Sequence, residues 1–271
     1  MNQKIVYGIS LFLLLVFAAC LVQAAPTTEV HVILYTGAGT AVDEATVTYL
    51  WLAQNLPVYG DGVTHYYHQG PVFEGDKWDK NETTNFKDRG AVKGTNIKDL
   101  CDLVGGMSPD DEVMVRAPDG YHVEFGYTNV YEPQPRQGPI VLCWYNGEDT
   151  EVGERQGKGY PPDYYTGMRL VFFADNSSNP EGKHIFGNWD MRECLPENSQ
   201  HFFGDLYPST GGLSVKWVDE IRIYRGGYIG EEGGPAKSMS TPTSSPVPGF
   251  EVVVAIAGLM LAFYALRRRA R

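Results

Sequence analysis

The sequence predicts a mainly β domain of the α+β class, a mixed sheet or barrel-like arrangement, with a C-terminal transmembrane helix after it. Three observations predict this. Short runs of alternating apolar and polar residues recur between Val30 and Tyr224, separated by Gly, Pro and Asx turns. Few stretches carry helical spacing. One long apolar run, Val252 to Leu266, stands near the end of the chain and is followed by Arg267, Arg268, Arg269 and Arg271.

The elements follow in order. Val30 to Tyr35 reads as a first strand. Thr48 can cap a helix from Tyr49 to Asn55 that Leu56-Pro57 ends, although Thr46, Val47, Thr48 and Tyr49 also suit a strand. Gly60 to Asp88 is long, polar and aromatic with little periodicity, and loops of that length are usually functional or held down by side chains. The stretch from Gly94 to Tyr127 organises the chain. Ile97, Leu100, Leu103 and Val104 recur at helical spacing, Thr95 is placed to cap them, and Gly105-Gly106 stops the helix. Val113 and Val115 then form a strand, Pro118-Asp119-Gly120 turns the chain, and Tyr121, Val123 and Phe125 form a second strand. Ile140 to Tyr145 is an apolar strand ending at the Asn146-Gly147 turn. Gly157 to Tyr165 is a Pro/Tyr loop and Met168 to Ala174 a buried strand. Asp175 to Gly212 is a long connection, and Val215 to Tyr224 is a closing strand.

The two ends are not part of this fold. Residues 1–25 read as a secretory signal, with Lys4 ahead of an apolar run and small residues near the end; a retained signal anchor is the alternative. Residues 26–228 then form an extracellular domain. Residues 229–250 are a Gly/Ser/Thr/Pro stalk ending in Pro-Gly-Phe, and residues 251–271 are a transmembrane segment with a basic tail. The apolar run is short for a hydrocarbon core of ~30 Å. The arginines place the C-terminus in the cytoplasm. This tail, with Pro248-Gly249-Phe250 just before the span, resembles the PGF-type sorting signal of archaeal surface proteins. That resemblance implies cleavage by an archaeosortase and transfer to a lipid anchor.

Of 271 residues, 43% are hydrophobic, enough for a large core, and the formal charge is −11. The exported part is more acidic still, because Lys4 and the terminal arginines lie outside it. Such a surface repels nucleic acid and anionic membrane. Asn81-Glu82-Thr83 and Asn176-Ser177-Ser178 are glycosylation sequons, consistent with export. Cys101, Cys143 and Cys194 remain after the signal. They read as core thiols, or as one disulfide with a thiol left over, and no C-x-x-C points to a zinc ribbon.

Two constellations carry candidate chemistry. On an extended loop His65 and His68 can converge on Zn, Cu or Ni with Glu74 or Asp76 as third ligand; the alternative is hydrogen-bonded packing. Asp119 is either a turn residue or a site residue, since Asp-Gly alone explains the hairpin.

The order of motifs adds a resemblance. A helix ending in Asp99-Leu100…Leu103-Val104-Gly105-Gly106 is followed by Asp119-Gly120-Tyr121, then by Val141-Leu142-Cys143-Trp144 and Asn146-Gly147. Gly159-Tyr160-Pro161-Pro162…Gly167-Met168-Arg169-Leu170-Val171-Phe172 comes next, and Ser214-Val215-Lys216-Trp217-Val218 leads to the closing strand. This resembles the molybdopterin-binding domain of the sulfite oxidase family over roughly residues 29–225. The resemblance implies a pterin cofactor, molybdopterin, held near its phosphate by Arg169, Ser214 and Lys216, with Asp119 also contacting it and Tyr121 and His68 lining the metal face. A guanidinium and an ammonium suit a phosphorylated ligand. Without the resemblance, Arg169 reads as the partner of a carboxylate and Lys216 as solvated. The family ligates molybdenum through a cysteine thiolate, and here that region contains no cysteine, only Thr64-His65-Tyr66-Tyr67-His68-Gln69-Gly70. Imidazole is no electronic equivalent of thiolate. The sequence therefore points to a surface-anchored, oxidoreductase-like domain whose redox activity is in doubt. The alternatives are an extracellular binding or cell-envelope module with an envelope partner, and a His-based metal-binding surface protein.

Overall fold

The computed structural model describes residues 26–150, 153–176 and 182–228. The signal segment, the stalk, the apolar tail and part of the second sequon lie outside the described residues. The largest sheet has five strands. β1 (Glu29–Tyr35) pairs antiparallel with β2 (Ala41–Thr48) and parallel with β13 (Glu220–Tyr224). β13 pairs antiparallel with β6 (Glu112–Arg116), which pairs with β7 (His122–Gly126). The order is β2-β1-β13-β6-β7, a mixed sheet.

A second, three-stranded sheet is antiparallel, in the order β5-β8-β9, from β5 (Val92–Asn96), β8 (Ile140–Asn146) and β9 (Arg169–Phe172). β3 (Tyr66–Gln69) lies between β4 (Phe86–Asp88) and β10 (His184–Phe186) in a third sheet. β11 (Phe202–Phe203) and β12 (Tyr207–Pro208) form a small ribbon. The helices are short: α1 (Tyr49–Asn55), α2 (Ile97–Asp102), α3 (Tyr127–Tyr131) and α4 (Asn188–Cys194). The protein is thus mainly β with mixed sheets. No closed barrel forms among the described residues, which corrects the barrel-like alternative.

The core explains the layers. Val30, Val32 and Leu34 of β1, Val113 and Val115 of β6, Phe125 of β7 and Ile221 and Ile223 of β13 form one apolar face. They pack with Ile140, Leu142 and Trp144 of β8 and Leu170 and Phe172 of β9. Each such side chain, fully buried, stabilises by about 1.5–3 kcal/mol before chain entropy is counted. The other face of the second sheet is buried too, by Val92, Val141, Cys143 and Val171 against Tyr66, Tyr164 and Phe173. That double burial is why β8 reads as a continuous apolar run. Gly94 is required at the irregularity where β5 pairs with β8, because a Cβ there would lie 2.3 Å from the Leu142 carbonyl oxygen.

Local chemistry shifts some boundaries. Thr48 Oγ1 accepts from the Trp51 amide at 3.2 Å, so α1 is a helix with the expected cap. At α2 the cap is Asn96 rather than Thr95: Asn96 Oδ1 accepts from the Lys98 amide at 3.1 Å. Thr95 Oγ1 is engaged by the buried indole N–H of Trp144 at 3.0 Å. β2 pairs through its backbone while most of its residues stay exposed, and Asp43 and Glu44 keep that sheet edge charged. The long loop before residue 88 is held down at both ends by β3 and β4.

No disulfide joins the three cysteines. Cys101 and Cys143 are buried free thiols and Cys194 is half-buried. Burial pushes all three thiols up, Cys194 to about 11. Iodoacetamide at pH 8 is expected to modify Cys194 slowly, and Cys101 and Cys143 only after denaturation. Peptide mass mapping checks this; fast alkylation of Cys143 in the folded protein would contradict it.

Candidate functional site

Arg169 opens an apolar strand, yet its side chain is only 2% exposed. A guanidinium so placed needs partners for its donors. Its Nε donates to Ser214 Oγ at 2.8 Å and its Nη1 to Gln156 Oε1 at 3.1 Å. The Glu154 carboxylate stands 3.5 Å from Nη1. Ser214 in turn donates to the Leu170 carbonyl at 2.7 Å.

Backbone bonds hold this arrangement. The Leu170 amide donates to Val215 O and the Val218 amide to Met168 O, both at 2.8 Å. Residues 215–218 therefore lie along β9 and are not the start of the closing strand, which begins at Glu220. Trp217, at φ +53°, makes the bend, and its indole N–H donates to Tyr165 O at 2.8 Å. The bend brings the Lys216 ammonium to the Glu154 carboxylate.

Arg89 completes the cluster and carries no sequence signal of its own. It follows β4 and is buried. Its Nη2 donates to Gly211 O at 3.3 Å, and its Nε has no hydrogen-bond partner among the described residues. From the other side, the Tyr121 hydroxyl donates to Gly212 O at 2.5 Å. Asp119 Oδ1 accepts from the Tyr121 amide at 2.9 Å, so this carboxylate closes the hairpin turn while also facing the site.

Arg169, Ser214, Lys216, Asp119 and Tyr121, the five residues expected around a pterin, all line one cleft of about 550 Å³ together with Arg89, Glu154 and Trp217. Burial, then repulsion from the Arg169 guanidinium, pushes Arg89 well below the ordinary arginine range. Burial also lowers Arg169 and Lys216. Arginine keeps its charge at neutral pH, so the shifts express electrostatic cost rather than deprotonation. Burial opposes ionisation of Glu154, but the Lys216 ammonium and Arg169 outweigh it and hold the carboxyl below its ordinary range. Four cations, Lys87, Arg89, Arg169 and Lys216, thus line the cleft with three carboxylates, Asp88, Asp119 and Glu154. That arrangement suits an anion, and in particular one with several acceptor oxygens.

The two histidines do not converge. His68 is fully buried; its Nδ1 bonds Thr210 O at 2.9 Å and its Nε2 accepts from the Phe172 amide at 3.2 Å. The second bond fixes the neutral Nδ1–H tautomer and leaves no lone pair for a metal. His65 instead pairs through Nδ1 with Asp88 at 2.9 Å and through Nε2 with Glu148 at 3.4 Å. Glu74 and Asp76 are exposed, and Asp76 Oδ1 accepts from the Trp78 amide at 3.0 Å. Among the described residues no group of three His, Cys, Asp or Glu side chains is placed to hold a metal ion. The expected His65–His68 metal site is corrected accordingly: His68 is a packing residue.

A family model, the PGF-CTERM motif, matches residues 247–269. The chain is a cell-surface protein anchored at the membrane through its C-terminus. The motif is a sorting signal of archaeal surface proteins, processed by an archaeosortase and exchanged for a lipid anchor. No curated protein matches the chain. Phe250→Ala is expected to leave the sorting tail uncleaved, a gain in mass that intact-protein mass spectrometry reads directly. A variant still carrying the mature mass would contradict processing at this signal.

Proposed function

We propose that this surface-held domain is a binding module whose cleft takes a phosphate-bearing ligand, of the pterin-phosphate kind that the sulfite oxidase family holds. The observation that carries the reading is the orphaned Nε of buried Arg89, beside an equally buried Arg169. An unpartnered buried donor on a charged group is costly. A ligand phosphate reaching Arg89, Arg169 and Lys216 removes that cost.

The residues fit one end of a molybdopterin and not the other. The phosphate end meets guanidinium and ammonium donors, while the Ser214 hydroxyl, donating to Leu170 O, orients Arg169. The metal end meets no thiol: Cys101 and Cys143 are buried elsewhere, and Cys194 does not line the cleft. Where the family's thiolate is expected stands His68, with both ring nitrogens engaged by the backbone. A pterin would supply redox and metal-binding chemistry when bound. This chain's own residues hold and orient an anion, so the reading is one of binding, with no oxygen transfer derived.

The test is to purify the full chain from its native membrane, denature it and identify released organic phosphates by mass spectrometry and pterin fluorescence. A stoichiometric phosphorylated compound is expected. A folded protein releasing none, and binding no phosphate ester added to it, would overturn the reading.

A further inference from the structure

The sequon Asn81-Glu82-Thr83 lies on the loop between β3 and β4. That loop holds its backbone and leaves the two decisive side chains free. Asp79 Oδ1 accepts from the Asn81 backbone amide at 2.9 Å, and Asp79 O from the Glu82 amide at 3.1 Å. Glu82 Oε1 accepts from the Thr84 amide at 2.7 Å, and Gln69 Nε2 donates to Thr84 O at 3.1 Å. Asn81 and Thr83 are exposed, and neither side chain has a hydrogen-bond partner among the described residues.

Both residues also line a cleft of about 120 Å³ that shares no residue with the one around Arg169. Its other walls include Phe86, Trp189 and the ion pair of Arg136 Nη1 with Asp190 Oδ1, at 3.3 Å. The Arg192 guanidinium lies over the Trp189 ring at 5.2 Å and steadies it. Pockets for free small molecules are usually about 300–1,000 Å³, so this one is too small to hold such a ligand unaided. A group tethered at its mouth needs less, because the tether supplies a high effective concentration. The lining suits a sugar. An aromatic ring meets the C–H face of a saccharide, and a guanidinium and a carboxylate meet its hydroxyls.

We propose that Asn81 carries an N-linked glycan whose first sugar seats against Trp189 in this cleft. The acceptor is the side-chain amide of an N-x-Thr sequon on a cell-surface chain. The donor is an oligosaccharide linked to a lipid phosphate. Asn81 Nδ2 bonds to the anomeric carbon of the sugar and gives up one proton. The bond from that carbon to the phosphate oxygen breaks, and its electron pair leaves with the lipid phosphate. Nothing is oxidised or reduced. Seated there, the sugar ties the 79–83 loop to α4.

The full chain, purified from its native membrane, is digested and its glycopeptides are mapped by mass spectrometry. The peptide holding Asn81 is expected to carry sugar on that residue, and Thr83→Ala to abolish it. A native peptide found only unmodified would overturn the proposal. A thermal double-mutant cycle reads the seat. Losing the glycan in Thr83→Ala should lower Tm by about 3 °C in the wild-type background and leave it unchanged in Trp189→Ala. Asn81→Gln, a second glycan-free variant, should do the same. An equal fall in both backgrounds would remove the sugar from Trp189 and leave the modification standing. Should Trp189→Ala fail to fold, nuclear Overhauser contacts decide: contacts between sugar protons and the Trp189 ring are expected in the glycosylated wild type, and their absence overturns the seat.

Discussion

Arg169→Met is expected to lose phosphate-ester binding by about a hundredfold while changing stability by only about 1 kcal/mol. The two halves of that result have separate causes. Binding loses two charge-assisted donors at the centre of the cleft. Stability loses little because no partner is stranded. Gln156 Oε1 keeps its bond from Thr166 Oγ1 at 3.2 Å, Ser214 keeps its donation to Leu170 O, and Glu154 keeps Lys216. The substitution also removes a cation that repels Arg89, and a methionine of similar length fills the apolar space. Replacing buried ionic groups by apolar side chains of similar volume is often neutral or stabilising. Thermal denaturation and calorimetry on the same preparation read both halves. A variant that unfolds would show that Arg169 holds the fold, and one that binds as wild type would show that the cleft is not the site.

His68→Ala is expected to cost about 3–5 kcal/mol, a fall in Tm of roughly 10 °C. The ring packs edge-on against Phe172 and Phe186, at 5.6 and 6.3 Å between centroids. Its removal leaves a cavity, and it strands the Phe172 amide and the Thr210 carbonyl in a dry interior. The same residue sets a pH dependence. Burial, with help from the Arg89 charge, holds its pKa well below 6.5. The unfolded chain therefore takes up a proton below about pH 6.5 that the folded chain refuses, so the contribution is complete above that pH and is lost as pH falls, by about 1.4 kcal/mol per unit. Burial lowers His201 as well, which adds to the slope. Burial raises Asp190 from 3.8 to about 6, which opposes it as pH falls through that range. Wild-type Tm should fall between pH 7 and pH 5, and His68→Ala should flatten that fall. An unchanged slope in the variant would mean that His68 is protonated in the fold.

The core was legible in the sequence because alternation and apolar runs follow directly from burial: β1, β6, β7, β8 and β9 all lie within or close to the predicted strands. β2 was not, since Asp43 and Glu44 interrupt its pattern and its pairing is by backbone alone. The 215–218 segment was misread because four strand-like residues say nothing of the positive φ at Trp217, which only its packing along β9 imposes. At the cleft, Arg169, Ser214, Lys216, Asp119 and Tyr121 stood out by their motif context. Arg89 and Glu154 did not. Each sits in a polar stretch without periodicity, and each matters through neighbours more than 50 positions away in the chain, Arg89 at Gly211 and Glu154 at Lys216. The histidine pair was the opposite case: the spacing of His65 and His68 suggested convergence, but β3 directs one ring into the core and leaves the other to Asp88.

The measurement that bears most directly on the cleft is a ¹H–¹⁵N correlation spectrum of arginine Nε–H groups in the full chain during titration with phenyl phosphate. Assignment comes from Arg89→Lys and Arg169→Met. Both Nε–H resonances are expected to move with one saturable constant, Arg89 the further because its Nε gains a first acceptor. Resonances that stay fixed at saturating ester, in a folded protein, would contradict an anion seat at these two arginines.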